Sequence, residues 1–353
     1  MKNFDICQQT TDNRQQVSLK TTYSLKNLNT MGFDIAAKQF HEINSLNDID
    51  NLIEEGLDEK NTLILGCGSN TFFKEEYYDG TIIHSNLKGI NIIEENGNDV
   101  IVRCMSGESW DNLVNFTVKN NLFGLENLIG IPGSVGAAPV QNIGAYGCEA
   151  KDSIIYVYTI DLTNGARRIF KNEDCHFAYR DSIFKREEYK KYFICAIDFC
   201  LKKDACFKLE YGNVKEYLEK KNISSLTLSD VAQTIKEIRA SKLPEVGVIG
   251  SVGSFFQNPI VKNDTFEMLK ESYPEMPSYP NEKGVKIPAG WLIEKAGWKG
   301  YRENHVGVWD KQALVLVHYG GGKPMEILDL MKKIQDSVKE KFGIDIEPEV
   351  NIC

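Results

Sequence analysis

Strand patterns dominate this chain up to about residue 208 and helix patterns dominate beyond it, which predicts mixed α and β structure in two or three domains. Three observations carry that reading. The chain has 353 residues, more than one core usually holds. Short apolar or alternating runs recur at 62–65, 81–84, 100–105, 153–161 and 192–201, with the length and composition of strands. After Leu209, runs at 213–221, 229–241, 262–271 and 288–296 have helical character.

Taken in order, residues 1–28 are polar and aperiodic and read as an N-terminal extension or an added edge element. Phe33, Ile35 and Ala37 alternate with polar neighbours, as in a strand. Residues 46–57 form a short helix behind the cap residue Ser45. The strand 62–65 runs straight into a Gly-Cys-Gly-Ser-Asn turn. A helix begins near Ser109 and turns Trp110, Leu113, Val114 and Val118 inward. The apolar run 313–318 is a central strand. Pro324 opens a long amphipathic helix that stops near Gly343, and the alternating segment 344–352 closes the chain as a strand. The change in character places a domain boundary at 203–208.

Composition excludes several classes. Hydrophobic content of 42% and charged content of 26% describe a soluble globular protein. With net charge −9 and no basic stripe, no counterions can be released to bind nucleic acid, although a local basic pocket could still take an anionic small molecule. Nine cysteines, an odd number without a CxxC pair, read as reduced and mostly buried thiols. Five histidines in no ligand-like spacing argue against a metal. There is neither an apolar secretory segment at the start nor a run long enough to span a bilayer. The expectation is a cytoplasmic monomer that acts on small molecules, without nucleic acid or membrane partners.

The most informative segment is 124–147, GLENLIGIPGSVGAAPVQNIGAYG. It holds six glycines and two prolines, and Glu126 is its only charged residue. A solvated loop would be more polar, and a core helix would not accept so many breakers. Backbone pressed against a large flat cofactor explains the composition; a tight crossover in a large fold explains it as well. LILGCGSN, 63–70, can form a nest of backbone N–H groups for phosphate oxygens, with Ser69 and Asn70 adding donors, or can be a plain turn. It lacks the third glycine and the acidic partner of a dinucleotide fingerprint. In YRDSIFK, 179–185, Arg180 can stabilise an oxyanion or simply pair with Asp181 on the surface. Ser254, in GSVGSFFQNP, has no base in sequence reach and no nucleophile elbow; it is a proton donor or a turn serine. Glu347, stiffened by Pro348, is a fixed catalytic carboxylate or an end-of-strand charge.

As a set, these segments resemble the UDP-N-acetylenolpyruvoylglucosamine reductase (UDP-N-acetylmuramate dehydrogenase) family, in its longer subtype with a tyrosine loop. The resemblance runs from about Asn29 to Val350 through NTMG, LILGCGSN, the Gly-rich run, YRDSIFK, YGNV, GSFFQNP, AGWLIEKAG, KQALVLV and EPEV, in order. It implies an α+β fold: a two-subdomain FAD-binding fold of the vanillyl-alcohol-oxidase class plus an α+β substrate-binding domain. The corresponding spans are 29–90, 91–205 and 206–353. FAD is the implied cofactor and NADPH the implied hydride-donating cosubstrate. In the implied reaction, hydride reaches C3 of UDP-N-acetylglucosamine enolpyruvate and a proton reaches C2, giving UDP-N-acetylmuramate for peptidoglycan precursor synthesis. Ser254 matches the proton donor, and Arg180 with Glu347 matches the pair that stabilises the enolate. Gly66, Gly68, Ser69 and Asn70 match the diphosphate cradle. Gly133, Ser134, Gly136, Ala137, Ala138, Asn142, Gly144, Ala145 and Gly147 match the flavin-facing loop. Tyr211, Lys242, Asn258, Tyr279 and Gln312 match substrate contacts. The chain departs from the family pattern at Cys67, at Gln257 where a basic residue is common, at Trp309 where histidine is frequent, and at Asn351 where arginine is typical. The competing readings are another flavin oxidase of the same fold and an inactive binding module.

Overall fold

A computed structural model of the chain describes residues 22–211 and 213–353. It divides into two compact units. Of the described residues, the first comprises Thr22–Tyr23, Ala37–Cys67 and Asp79–Arg239; the second comprises Ser24–Ala36, Gly68–Tyr78 and Ala240–Cys353.

The first unit is organised by an antiparallel five-stranded sheet in the order Arg167–Lys171, Ile154–Asp161, Tyr192–Lys202, Asp99–Met105, Ile90–Asn96. Its central strand, Tyr192–Lys202, serves two cores. Ile194, Ile197, Phe199 and Leu201 pack with Trp110, Leu113 and Val114, whereas Phe193, Cys195 and Ala196 pack with Ile49, Leu52 and Ile83. A strand buried on both faces reads as a continuous apolar run, as YFICAIDFC does. The helix Leu46–Glu55 is fixed by a capping box, in which the Ser45 hydroxyl accepts the Asp48 N–H and the Asp48 carboxylate accepts the Ser45 N–H. The helix Trp110–Lys119 is capped by Ser109. Thr117, rather than Val118, completes its buried face. A second sheet contains Thr62–Leu65 parallel to Tyr77–Ser85, with Ala36–Ile43 on the other side of Tyr77–Ser85. Between strands, Asp198 is fully buried and is held by Arg103 at 2.7 Å and by the Tyr158 hydroxyl at 2.8 Å.

The second unit is built on a four-stranded sheet ordered Gly250–Ser254, Val315–His318, Val306–Val308, Arg302–Glu303, with the helix Pro324–Phe342 packed on Val306–Val308. That helix ends at Gly343 in the left-handed region, as its sequence predicts. A three-stranded sheet, Ile260–Val261, Gly284–Lys286 and Tyr279–Asn281, stands beside the helix Asn263–Ser272.

Two expectations need correction. The strand at Phe33–Ala37 begins only at Ala36, although Phe33 and Ile35 are buried. Residues 344–352 form no continuous strand. Ile344 and Ile346 alternate inward, but the Ile346 carbonyl accepts the Gln335 side-chain amide and Pro348 has no N–H; the segment pairs through an isolated bridge between Pro348 and Phe256 and through Asn351–Ile352 with Thr71–Phe72. The polar N-terminal stretch ends in an added edge element, one of its two readings: Tyr23–Ser24 is the edge strand beside Ala36–Ile43, Tyr23 stacks on Phe40 at 3.7 Å, and Leu25 is fully buried. Residues 1–21, with Cys7, lie outside the described residues. The other eight cysteines are free, four of them buried.

Candidate active site

In the first unit the Gly-rich run folds as short turns and 3-10 segments against the sheet. The Trp110 indole donates to Leu128 O at 2.9 Å and ties the run to the helix behind it. Gly136 N–H donates to Ser106 O at 2.9 Å, and a Cβ at Gly136 would lie 2.7 Å from Ser106 Cβ, so only glycine allows this approach. Two predicted cofactor segments meet here: a Cβ on Gly66 would lie 2.5 Å from Ser134 Oγ and 3.6 Å from Ala137 Cβ. Ala138 is fully buried, and Gly133 accepts the Trp110 N–H at 2.9 Å. Ala145 pairs with Cys148 in a two-residue hairpin whose turn contains Gly147. Gly147 rests against Tyr211, which is itself 53% exposed.

Asn142 plays a different part from a side-chain ligand. It is fully buried, and its amide donates to Glu149 at 2.9 Å and Ala178 O at 3.0 Å while its carbonyl accepts Lys151 N–H at 3.0 Å. It holds the loop in shape. Glu126 is turned inward, accepts the Gly124 N–H at 2.7 Å, and has its carboxyl pKa pushed up by burial.

Arg180 sits at the tip of a tight turn closed by mutual hydrogen bonds between Ala178 and Asp181. Its φ of +55° is a strained value for a branched-chain-sized side chain. Asp181 pairs with Arg186 at 3.0 Å, and Arg180 donates to Gly144 O at 2.8 Å. Ser182 anchors the same turn through Val140 O at 2.6 Å. A second guanidinium escaped sequence reasoning: Arg239 donates to Gly130 O at 3.2 Å. Burial lowers its pKa, and the nearby Arg180 adds to that effect. It lies three residues before Lys242, which the family resemblance assigns to the substrate. From Asn127 to Cys148 no side chain is charged, yet two guanidiniums border this stretch. Small residues and adjacent positive charge fit a planar group carrying an anionic diphosphate, such as FAD.

In the second unit Gly68 has φ +64°, and a Cβ there would lie 2.0 Å from Leu28 O, so the turn requires glycine. Ser69 is half-buried, and the Asn70 carbonyl accepts Asn351 N–H at 3.0 Å. Burial raises the Cys67 thiol pKa, which makes it an inert small residue in this turn.

Ser254 ends a strand with an irregularity between Ser251 and Ser254, where Gly253 adopts φ +73°. Such a bulge re-aims the residue that follows it. Beyond it the chain runs beside the segment carrying Glu347: Gln257 N–H donates to Glu347 O and Glu349 N–H donates to Phe255 O, both at 2.8 Å. The structure thus brings Ser254 and Glu347, remote in sequence, onto adjacent backbone. Gln257 also reaches Pro348 O with its side chain at 3.5 Å. Asn258 and Gln312 meet at the start of the helix Ala289–Lys295: Asn258 accepts Ala289 N–H at 2.9 Å, and Gln312 Oε1 lies 3.0 Å from where a Cβ on Gly290 would be. Tyr279 is 45% exposed on the three-stranded sheet with Lys286 over its ring at 5.7 Å, and Lys242 is exposed at the end of the helix Leu228–Lys242.

Comparison with known proteins decides the family. A family model described as UDP-N-acetylenolpyruvoylglucosamine reductase, C-terminal domain, matches residues 244–353, and one described as FAD binding domain matches 41–169. A protein of Bacteroides fragilis (strain YCH46) named UDP-N-acetylenolpyruvoylglucosamine reductase is 44% identical over 334 residues, covering 94% of this chain and 99% of its own length. The chain belongs to the UDP-N-acetylenolpyruvoylglucosamine reductase family. A member from Flavobacterium johnsoniae is 43% identical over 338 residues, covering 95% and 100% of the two chains. The solved reductase of Thermus caldophilus, 19% identical, superposes with TM-score 0.66 over 96% of this chain and 99% of its own, which shows the shared fold. The expected α+β architecture with an FAD-binding part is therefore met, and the protein is an FAD-dependent oxidoreductase with a role in peptidoglycan synthesis. Among the described residues no cluster of acidic, histidine or cysteine side chains could hold a metal, and no helix is long and apolar enough to cross a membrane.

Proposed function

We propose that this reductase converts UDP-N-acetylglucosamine enolpyruvate to UDP-N-acetylmuramate with NADPH as hydride donor, and that Arg180, Ser254 and Glu347 are its catalytic residues. The observation that supports the reading is the backbone pairing of Phe255–Gln257 with Glu347–Glu349, which brings the segment that follows Ser254 alongside the one that carries Glu347. When bound, the flavin relays hydride from the reduced nicotinamide to C3 of the enol ether.

The chain's own residues handle charge and protons. Hydride arrival at C3 drives negative charge through C2 onto the substrate carboxylate. Arg180, held on Gly144 O and permanently charged, offers fixed positive charge to that carboxylate without reorganising. Ser254 gives its hydroxyl proton to C2. The serine is a weak acid in water, but the carbanionic centre it quenches is a far stronger base than solvent. Glu347 orients and polarises the donor side. The cradle 66–70 and the loop 133–147 position the cofactor through Gly66, Gly68, Ser69, Asn70 and the small residues of the loop. Tyr211, Lys242, Asn258, Tyr279 and Gln312 hold the nucleotide sugar, with Lys242 supplying charge to its diphosphate. The enzyme works as a cytoplasmic monomer.

The deciding experiment is Ser254→Ala followed by visible spectroscopy. The variant should still bleach on adding NADPH, but the enolpyruvyl substrate should fail to restore its colour. Normal reoxidation would remove Ser254 from the mechanism, and absence of bleaching in the wild type would remove NADPH.

A further inference from the structure

Neither predicted cofactor segment carries a charge of its own. From Asn61 to Phe73 and from Asn127 to Cys148 every side chain is uncharged. A diphosphate is anionic, and a cation beside it strengthens every hydrogen bond it accepts. In the first unit Lys88 stands where the two segments meet.

The backbone around Lys88 is fixed on both sides. Gly107 N–H donates to Leu87 O at 3.0 Å, Met105 N–H donates to Gly89 O at 2.9 Å, and Gly89 N–H donates to a carboxylate oxygen of Glu108 at 2.9 Å. A Cβ on Gly107 would lie 2.5 Å from Leu87 N, so the two stretches of chain press together. The connection 106–108 then offers three successive carbonyls. Ser106 O accepts Gly136 N–H at 2.9 Å, Glu108 O accepts Val135 N–H at 2.8 Å, and between them Gly107 O accepts the Lys88 ammonium. Loop and ammonium thus share one short piece of backbone. Ser134, the adjoining loop residue, is the one whose hydroxyl crowds the Cβ position of Gly66. The charge is felt at Cys67 as well: burial raises the thiol pKa, and Lys88 opposes that rise.

Lys88 is exposed, and among the described residues no carboxylate pairs with it; that of Glu108 is turned to Gly89 N–H. An ammonium has three N–H donors and Gly107 O takes one, which leaves the others for a ligand.

We infer that Lys88 is a cofactor-binding residue: its ammonium, held at the meeting point of Gly66 and the 133–147 loop, pairs with the diphosphate of FAD. The inference rests on the reading of 66–70 as the diphosphate cradle and supplies the charge that the cradle lacks. Lysine suits the task as a compact point charge, because a diphosphate presents oxygens on several sides and needs no planar fork.

The test reads FAD retention by the full-length holoenzyme, from the flavin fluorescence released on serial dilution, and needs no turnover. Lys88→Gln keeps an N–H for Gly107 O and removes the charge. It should raise the Kd for FAD by about 5- to 30-fold. Lys88→Met, which removes both, should do the same, and Lys88→Arg should stay within about threefold of the wild type. Raising the salt from about 0.05 to 0.5 M should loosen FAD in the wild type and markedly less in Lys88→Gln, where the charge to be screened is gone. Wild-type affinity in Lys88→Gln overturns the inference; loss in Lys88→Met alone would mean that Lys88 only holds Gly107 O. Asn70→Ala reports on the cradle itself. If it and Lys88→Gln both retain FAD as the wild type does, the cradle reading has failed; if Asn70→Ala loses FAD and Lys88→Gln does not, only the role of Lys88 has.

Discussion

Replacing Gly136 with alanine tests how the cofactor loop is seated. A Cβ at this position would sit 2.7 Å from Ser106 Cβ, 3.2 Å from Ser106 O and 3.3 Å from Ser106 Cα. None of these atoms can rotate away, because Ser106 is fully buried and its hydroxyl is engaged with Ser85 at 2.7 Å. The loop must therefore back off, stretching the Gly136 N–H to Ser106 O bond. Overpacking costs about 1–3 kcal/mol and a weakened hydrogen bond about 1 kcal/mol more. The sum, about 2–4 kcal/mol, corresponds to roughly 3–5 °C in melting temperature for a chain of 353 residues. Gly66→Ala is the matched control: its closest neighbour, Ser134 Oγ at 2.5 Å, ends a side chain that can turn, and the next atoms are at 3.5 Å or more. Thermal melts of the apoprotein should show a large loss of stability for Gly136→Ala and a small one for Gly66→Ala, and FAD titration followed by flavin fluorescence should show weakened binding in Gly136→Ala. If Gly136→Ala melts and binds FAD like the wild type, the close packing of loop on sheet is wrong.

Other perturbations follow from the same geometry. Arg180→Lys keeps the charge but loses the planar fork, and steady-state kinetics should show kcat reduced by about 100-fold with a smaller change in KM for NADPH. Asp198→Asn leaves Arg103 without its counter-charge in a buried setting and should cost about 3–5 kcal/mol in urea unfolding, far more than any single exposed ion pair such as Lys332–Asp336. His41 is buried, and burial lowers its pKa, so the unfolded chain binds its proton more readily than the folded one. Its contribution to stability is complete above the unfolded value near 6.5 and falls as pH drops through the lowered folded value. Denaturation midpoints measured from pH 7.5 to 5 should decline less steeply in His41→Gln.

Periodic features were the readable part of this fold. Ser45 and its capping partner, Pro324 and Gly343, and the doubly buried run around Ile197 each follow from local chemistry, and each formed where the pattern placed it. The segment 344–352 shows the limit. Its alternation is a true alternation of burial, but burial does not require a ladder; here a glutamine side chain takes a carbonyl and a proline withholds an N–H. Individual site residues were ambiguous for the same reason, since a serine after a glycine or an arginine before an aspartate has an ordinary structural explanation. In the structure Arg180 reaches the carbonyl of Gly144, a contact that no sequence spacing announces. Arg239 was missed because helical context made it look like one more exposed cation.

The two units solve different positioning problems by the same means, departures from regular backbone placed next to regular elements. Arg180 takes a left-handed φ at the end of a turn whose flanks are pinned by Ser182 and by the Ala178–Asp181 hydrogen bonds. Ser254 follows a left-handed glycine at an irregularity in a strand whose neighbours are a buried strand and the Glu347 segment. At Arg180 the irregularity costs about 1 kcal/mol or more and persists because the surrounding hydrogen bonds overdetermine it, whereas before Ser254 a glycine takes the left-handed backbone at little cost. A functional side chain held in this way cannot drift with the thermal motion of a free loop, which is the requirement for a charge or proton that must already be in place when the substrate's charge develops. Gly253→Ala meets open space but puts a side chain on a left-handed backbone, so it should lower stability by about 1 kcal/mol in thermal melts and, by shifting the aim of Ser254, lower kcat in steady-state assays by more than that loss explains.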